Sequence, residues 1–274
     1  MIAGLALFGS FIVHALRDAT PLIDVSLFRD RVMAAASMTT FTLGAAFFGS
    51  MLLMPLYYQV ARGESALHAG LLIAPQGLGA AMMMPVSGLI TDRFGAGRIV
   101  PFGLLIVTAG TIALTQISFD TSYYVLAAAL FALGLGMGST MMPAMSAAFS
   151  TMTRAAVPRA TSALNVVQRV GGSIGVALLS VVLSQQLTSN LPVVAGHGAG
   201  LGAAQSLPPA LHAKIAPIIA DSFGTAFWWA LGLVLLAFIP SLFLPRHGSA
   251  VQLDAMRAAE ERAAELADVA MTEI

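Results

Sequence analysis

Six apolar stretches, each long enough to cross a lipid bilayer as a helix, constrain this chain more than any other feature of its sequence. A transmembrane helix needs about 20 predominantly apolar residues, because the hydrocarbon core is about 30 Å thick. Backbone groups in lipid must be satisfied within the segment, and these stretches alternate too weakly for barrel strands, so helices are predicted. The six predicted spans are residues 32–58, 69–90, 99–118, 123–149, 164–187 and 223–244. A seventh run, residues 1–16, is short and is predicted to be the end of a partial transmembrane helix.

Composition supports an all-α membrane protein whose first partner is the lipid bilayer. Hydrophobic residues make up 58% of the 274 positions and charged residues 9%, whereas soluble domains average roughly 45–50% and about 25%. A net charge of zero without any basic run excludes a nucleic-acid partner, because phosphate binding needs concentrated Lys and Arg. The absence of cysteine excludes disulfides, thiolate catalysis and cysteine metal sites.

The distribution of basic residues predicts the orientation of the spans. If each span crosses once, one side of the membrane receives Arg17, Arg29, Arg31, Arg93, Arg98, Arg154, Arg159 and Arg246. The other side receives only Arg62 and Lys214. By the positive-inside rule the first side is cytoplasmic, which predicts a multi-pass protein of the inner or plasma membrane with a cytoplasmic carboxyl terminus.

The segments between the spans complete the predicted organisation. Residues 17–31 form a cytoplasmic loop, residues 32–244 the six-helix bundle, and residues 245–274 a cytoplasmic tail. Residues 188–222 are predicted to be an external loop, because their prolines and glycines are too frequent for one continuous helix.

The most specific motif lies in the short loop between the second and third spans and reads Gly88-Leu-Ile-Thr-Asp92-Arg93-Phe-Gly95-Ala-Gly97-Arg98. Gly88 allows two helices to approach closely, Gly95 permits a tight turn, and Asp92 can cap a helix or pair with an arginine. Such a loop can hold one conformation of a protein. The alternative is an ordinary loop with positive-inside arginines and turn glycines.

This loop resembles the signature of the major facilitator superfamily, Gly-x-x-x-Asp-Arg/Lys-x-Gly followed by basic residues. Ala96 and Gly97 occupy the first two basic positions here, and Arg98 follows one step late. Residues 21–29, 70–79 and 165–175 are similar to segments of the fourteen-helix drug:proton antiporters of the EmrB/QacA type. The resemblance implies that the six spans are a carboxyl-terminal bundle with a 3+3 inverted repeat, preceded by the end of one linker helix.

The resemblance also implies a function, namely proton-coupled efflux of hydrophobic or amphipathic drugs by alternating access. The partners would be a small-molecule substrate and an amino-terminal bundle that this sequence lacks, and the energy source would be a proton gradient rather than a cofactor. In such folds the first, second, fourth and fifth spans line the cavity, and the third and sixth face lipid. No carboxylate lies deep within a predicted span, so we expect the proton-binding residues to lie outside this chain.

Two groups of residues are candidates for a role in transport. Polar, aromatic and methionine side chains in the cavity spans could form a substrate pathway, with ordinary core packing or lipid contact as the alternative; they are Gln76, Asn165, Gln168, Phe48, Met54 and Met141. Breakers and small residues could serve in helix packing or as hinges; they are Pro75, Gly134, Gly138, Pro143, Gly171, Gly172 and Gly175. Trp228 and Trp229 fit an interfacial belt near the external end.

Three other functions fit the sequence less well. An intramembrane enzyme needs a nucleophile or metal ligands at depth, yet the histidines lie at span ends or in loops, so no catalytic residue and no metal site are predicted. A seven-helix receptor is disfavoured because the first run is short. A truncated fragment that does not transport is the main alternative, because half a transporter cannot close a cavity around its substrate.

Overall fold

The computed structural model describes residues 28–150, 152, 156–190 and 209–246, with the backbone alone at 209–214. Seven α-helices fill most of these ranges: α1 Arg31–Leu56, α2 Ala66–Phe94, α3 Ala96–Thr115, α4 Tyr123–Gly138, α5 Met141–Phe149, α6 Val157–Asn190 and α7 Pro209–Ser241. A π-helical turn, Tyr57–Ala61, extends α1. The predictions for residues 1–16, for most of the loop 17–31 and for the tail after Arg246 lie outside the described residues.

Within the described ranges, six helical segments are long and apolar enough to cross a membrane, and α4 with α5 forms one of them, Tyr123–Phe149. The predicted all-α bundle of six spans is therefore confirmed. The helices are longer than the apolar runs at several ends; α2 extends to Phe94 and α6 begins at Val157. Polar and charged residues at these ends lower the hydropathy without breaking the helix, so hydropathy marks the lipid-buried part and not the helix termini.

The predicted external loop 188–222 is wrong in its second part, because α7 begins at Pro209. Proline is tolerated in the first turn of a helix, where its missing N–H costs no hydrogen bond. Pro217 lies inside α7, which continues through it, and Ile219 and Phe223 beyond it are fully buried in the bundle. Packing of this turn against the bundle therefore outweighs the hydrogen bond that Pro217 removes.

The two tryptophans lie within α7, on the outside of the bundle. Trp228 and Trp229 lie near the middle of the apolar segment Ile215–Ser241 and are 59% and 53% exposed. Their side chains lie on the outer surface of the bundle. Phe223 and Gly224, about one turn earlier, lie beside Tyr57 and Thr115, where α1 and α3 end, so the position near the external end stays a prediction.

The packing of the helices follows a repeated pattern. α1 packs mainly on α6 and α7, α4 packs mainly on α2 and α3, and α3 packs on α7. In an inverted repeat, spans one, two and three correspond to spans four, five and six. The pair formed by spans one and five, α1 and α6, then corresponds to the pair formed by spans four and two, α4 and α2. This pairing is the one that a 3+3 inverted repeat produces.

The spans differ in how much the bundle covers them. Only 11% of the most apolar window of α2 is buried and 33% of that of α6, against 56% for the spans of α1 and of α4 with α5. α2 and α6 each pack mainly on one neighbour, α4 and α1 respectively. Both helices therefore present long apolar faces to the outside of the six-helix bundle.

Candidate functional site

The turn between α2 and α3 is held against the end of α7. Gly95 has φ of +80°, a conformation that favours glycine, and it separates the two helices. The Gly97 N–H donates to the carbonyl of Pro245 at 2.8 Å. A side chain at Gly97 would overlap the carbonyl of Leu244. Gly97, which stands where the superfamily signature has a basic residue, therefore has no room for a side chain.

The other residues of the motif stand apart from one another. A methyl group at Gly88 would meet nothing within 4 Å, so this glycine lies on an open face of α2. Asp92, Arg93 and Arg98 are exposed, and within the described ranges none of them forms an ion pair. Asp92 therefore neither caps a helix nor pairs with an arginine among these residues. Gly88 and Asp92, one turn apart, share the uncovered surface of α2.

Glycines bring α1 and α6 into backbone contact. A Cβ on Gly171 would overlap the carbonyl of Phe41, and one on Gly175 would overlap the carbonyl of Ala45. Gly44 of α1 approaches in the same way, since a Cβ there would lie 2.8 Å from the carbonyl oxygen of Gln168. The structure therefore places Gly171 and Gly175 in a close helix interface.

Phe48 packs over the third predicted glycine of this interface. A Cβ on Gly172 would lie 2.6 Å from Cδ2 of the Phe48 ring. The Phe48 ring also meets Phe47 edge-on, with centroids 5.3 Å apart. A substitution at Gly172 would displace a ring and not a helix backbone.

The equivalent pair, α2 and α4, is packed by the same device. A Cβ on Gly134 would overlap the carbonyl of Gln76, and one on Gly138 would lie 2.9 Å from the carbonyl oxygen of Ala80. Gly79 of α2 faces the carbonyl of Phe131. Pro75 lies inside α2, which continues through it. Gly134 and Gly138 thus allow close packing, and a role as hinges stays a prediction.

The fourth span is interrupted next to Pro143. α4 ends at Gly138 and α5 begins at Met141, with Ser139 and Thr140 fully buried between them. Pro143 has no N–H, so it cannot donate to the carbonyl four residues earlier. The Ser87 hydroxyl of α2 donates to the Gly138 carbonyl at 2.8 Å, and the Thr140 hydroxyl donates to the Gly136 carbonyl at 2.9 Å. Side-chain hydroxyls therefore satisfy backbone groups that the interruption exposes.

The six candidate pathway residues do not form one site. Gln168 and Met141 meet, with Nε2 of the amide 3.1 Å from the thioether sulfur. Asn165, one turn earlier on α6, is exposed. Met54 is 2% exposed and belongs to the apolar core, so it does not line an accessible cavity.

Gln76 lines a separate cavity of about 20 Å³ between α1, α2, α3, α4 and α7. Its other lining groups are mostly apolar, and Ser50 and Thr111 add two hydroxyls. This volume has room for about one water molecule. The bundle by itself therefore encloses no drug-sized pocket around Gln76.

A polar cluster that the sequence analysis missed lies where α1 ends. The Arg62 guanidinium donates to the carbonyl of Thr121 at 3.1 Å and lies 4.5 Å from the ring centroid of Tyr123. The Glu64 carboxylate accepts from the Tyr123 hydroxyl at 2.5 Å and lies 3.0 Å from Nδ1 of His68. We call Arg62, Glu64, His68 and Tyr123 the Arg62 cluster. It joins the end of the first span to the start of α2 and to the turn before α4.

The hydrogen bonds of the Arg62 cluster favour the ionised form of the Glu64 carboxylate. The hydrogen bond from Tyr123, followed by that from His68, lowers the pKa of Glu64 below its ordinary value. One sequence signal could have identified the cluster, since Arg62 is one of two basic residues on its predicted side of the membrane. Its partners Thr121 and Tyr123 lie about 60 positions away, which no local pattern reveals.

Comparisons with known proteins agree with this architecture. The Major Facilitator Superfamily profile matches residues 4–176. The multidrug resistance protein B homolog of Mycobacterium tuberculosis is 37% identical over 262 residues, covering 90% of this chain and 48% of that protein. The lincomycin resistance protein LmrB of Listeria monocytogenes is 27% identical, covering 89% of this chain and 49% of that protein. The drug efflux pump JefA of M. tuberculosis is 27% identical, covering 70% and 38%.

The chain thus spans about half the length of these two curated relatives. The matched profile covers more than half of the chain, and the six spans have the paired packing of an inverted repeat. This protein of membrane-spanning helices therefore belongs to the major facilitator superfamily, a family of transporters and not of enzymes.

Proposed function

We propose that this chain is the carboxyl-terminal bundle of a drug exporter of the fourteen-helix drug:proton antiporter type. The observation that carries the proposal is the pair of uncovered helices, α2 and α6. Each is packed by glycines onto one neighbour, α4 or α1, and leaves its remaining apolar surface open. Leu67, Leu71, Leu78, Met82 and Leu89 are exposed along α2, and Val166, Ile174 and Val181 along α6. An amino-terminal bundle is the partner that would cover such faces.

The relatives supply the substrate class. Two of them carry names of resistance proteins and one is named a drug efflux pump. For this chain we infer export of hydrophobic or amphipathic drugs, with the arginine-rich side and the carboxyl terminus in the cytoplasm. The substrate would bind between the two bundles, where Gln168, Met141 and Phe48 contribute an amide, a thioether and a ring.

Proton coupling, which we also propose, needs groups that the described part of this chain does not place at membrane depth. Among the described residues, the carboxylates Asp30, Glu64, Asp92 and Asp120 lie at helix ends or in turns, and Asp221 is exposed near the start of the last apolar segment. A proton carrier needs a carboxylate whose burial brings its pKa near the working pH. We therefore assign the proton-binding residues to the other half of the transporter.

Alternating access would use the two glycine-packed pairs as rigid units. Backbone contact leaves little freedom for α1 to slide on α6, or for α2 to slide on α4. The interruption at Ser139 and Thr140 is the place within the described residues where one membrane-length segment consists of two separate α-helices. Bending there would let α5 move while α4 stays packed on α2.

A two-half experiment tests the proposal. The chain is reconstituted alone, and together with the amino-terminal half of the M. tuberculosis multidrug resistance protein B homolog, and efflux of a lipophilic cationic dye is measured under a proton gradient. We expect efflux only from the two halves together, and we expect a protonophore to abolish it. Efflux by the chain alone would contradict the assignment as a half-transporter. Two folded, associated halves without efflux would support the alternative of a fragment that does not transport.

A variant of the pathway gives a second measurement. Gln168→Leu removes the amide that contacts Met141 and should lower efflux by the two halves about fivefold, the equivalent of about 1 kcal/mol for one hydrogen bond. Ser173→Ala is the matched control, because Ser173 is exposed on the same helix and bonds only to its own backbone at Arg169. Equal efflux by the two variants would remove Gln168 from the pathway.

A further inference from the structure

An apolar groove with an arginine at its mouth lies between the start of α1 and the end of α7. Its volume is about 490 Å³, and α7 contributes Leu236, Ile239 and Pro240, with Phe243 just beyond the helix. The opposite wall is formed by Arg31, Ala34, Ala35 and Met38 of α1. Ile239 and Phe243 are 60% and 70% exposed, so no described residue covers them.

A second groove adjoins the first at Leu236, which lines both. This groove has a volume of about 400 Å³ and lies between Leu178 of α6 and Trp228, Trp229, Gly232 and Leu233 of α7. At a rise of 1.5 Å per residue, the stretch from Trp228 to Phe243 is about 22 Å long. Half of the hydrocarbon core is about 15 Å thick, so the combined groove is long enough for an acyl chain of one leaflet.

The positive charge at the mouth of the groove favours a lipid headgroup that carries a negative charge. Arg31 and Arg29 are both exposed at the start of α1. The carboxylate of Asp30 between them accepts the backbone N–H groups of Val32 and Met33, each at 2.9 Å, and so caps the helix. The guanidinium groups therefore present positive charge at the end of an apolar groove, where a phosphate ester with a fatty chain would place its negative charge.

Pro240 interrupts the backbone hydrogen bonding of α7 beside the groove. Pro240 lies inside the helix and has no N–H, so the carbonyl of Leu236 lacks its usual partner four residues on. Leu236 lines the groove. An acyl chain at this depth would meet Leu236 through apolar contact and not through a hydrogen bond, because hydrocarbon carries no donor.

We propose that this groove binds an anionic glycerophospholipid, with its phosphate at Arg31 and one acyl chain along α7 toward Trp228 and Trp229. The site does not depend on the proposed transport activity. It requires only that α1 and α7 cross the bilayer with Arg31 at one surface. A zwitterionic lipid fits less well, because its ammonium group would approach Arg29 and Arg31.

Native tryptophan fluorescence tests the proposal directly, because the chain contains two tryptophans and both line the groove. The full chain is reconstituted in vesicles that mix phosphatidylcholine with phosphatidylglycerol, one of the two being brominated in its acyl chains. Quenching then gives the binding of the anionic lipid relative to the zwitterionic one. We expect a preference for phosphatidylglycerol of about fivefold, as one arginine near the surface contributes about 1 kcal/mol.

Three variants make the result specific. Arg31→Gln should reduce the preference toward unity, and Arg31→Lys should retain most of it. Arg159→Gln is the matched control, because Arg159 is also exposed in the first turn of a helix on the arginine-rich side but does not line the groove. Equal quenching by the two lipids in the unmodified protein would overturn the proposal. Quenching by neither lipid would also overturn it, since protein from a second copy or from another part of the chain would then cover the groove.

Discussion

Replacement of Gly138 by alanine should separate α2 from α4 at a place where two effects combine. The added Cβ would lie 2.9 Å from the carbonyl oxygen of Ala80, 3.0 Å from Cβ of Met83 and 3.2 Å from the backbone nitrogen of Met84. None of these atoms can rotate away. Because carbon contacts are favourable only near 3.5 Å, the helices must move apart by about 0.5 Å.

The separation would also weaken the hydrogen bond between Ser87 and Gly138. That bond is 2.8 Å long, and a shift of about 0.5 Å takes it beyond the 2.5–3.0 Å range of O–H···O bonds. Overpacking costs about 1–3 kcal/mol, and a hydrogen bond between membrane helices contributes about 0.6 kcal/mol on average. We therefore expect Gly138→Ala to lower the free energy of unfolding by about 2–3 kcal/mol.

Reversible unfolding of the purified chain in mixed detergent micelles would measure this effect. Ser87→Ala alone should cost about 0.6–1.7 kcal/mol, and it should cost almost nothing in the Gly138→Ala background, because the bond is already lost. Gly232→Ala is the control, since a methyl group there meets nothing within 4 Å. Wild-type stability of Gly138→Ala, or an equal cost of Ser87→Ala in both backgrounds, would refute the reasoning.

Two further predictions follow from the turns. Gly97→Ala should lower the free energy of unfolding by about 2–3 kcal/mol, because the added methyl group pushes the start of α3 away from Leu244 and Pro245. Gly88→Ala, on an open face of α2, should be neutral. Thermal unfolding of both variants measures the difference, and equal midpoints would contradict the contact at Gly97. Because the folded-state pKa of Glu64 is lowered, its bonds to Tyr123 and His68 stabilise the protein above about pH 4.5 and are lost as pH falls through the lowered pKa. Glu64→Gln should therefore lower the unfolding midpoint at pH 7 but not below the lowered pKa, where the carboxyl group of the unmodified protein is protonated. The exposed Asp120→Asn is the control for the loss of a surface carboxylate and should leave the midpoint at pH 7 unchanged.

The number of spans could be predicted from the sequence because lipid imposes one length and one polarity on every crossing helix. The start of α7 could not be predicted, because Pro209 and Pro217 are equally compatible with a loop and with a helix that packs on the bundle. Hydropathy reports where a segment lies relative to lipid, whereas packing decides where its helix ends.

The candidate residues divide along the same line. The glycines could be chosen from their spacing, because close helix contact needs small residues at regular intervals. The contacts of Gly97, Ser87 and Arg62 could not be predicted in this way, since each partner lies in a distant part of the sequence. The pathway set included Met54, which is core, because methionine serves lipid contact, packing and ligand binding with the same side chain.

The two glycine interfaces also impose an order of assembly during synthesis. Gly134 follows its partner Gln76 by 58 residues, whereas Gly171 follows Phe41 by 130. At a synthesis rate of about 5–20 residues per second, roughly 6–26 s pass between the synthesis of Phe41 in α1 and that of Gly171 in α6. The hydroxyls of Thr39, Thr40 and Thr42 donate to carbonyls of α1 itself, so these three groups are satisfied within the helix during this interval. α2 and α4 can therefore pair first, and α1 meets its two main partners only when α6 and then α7 are inserted.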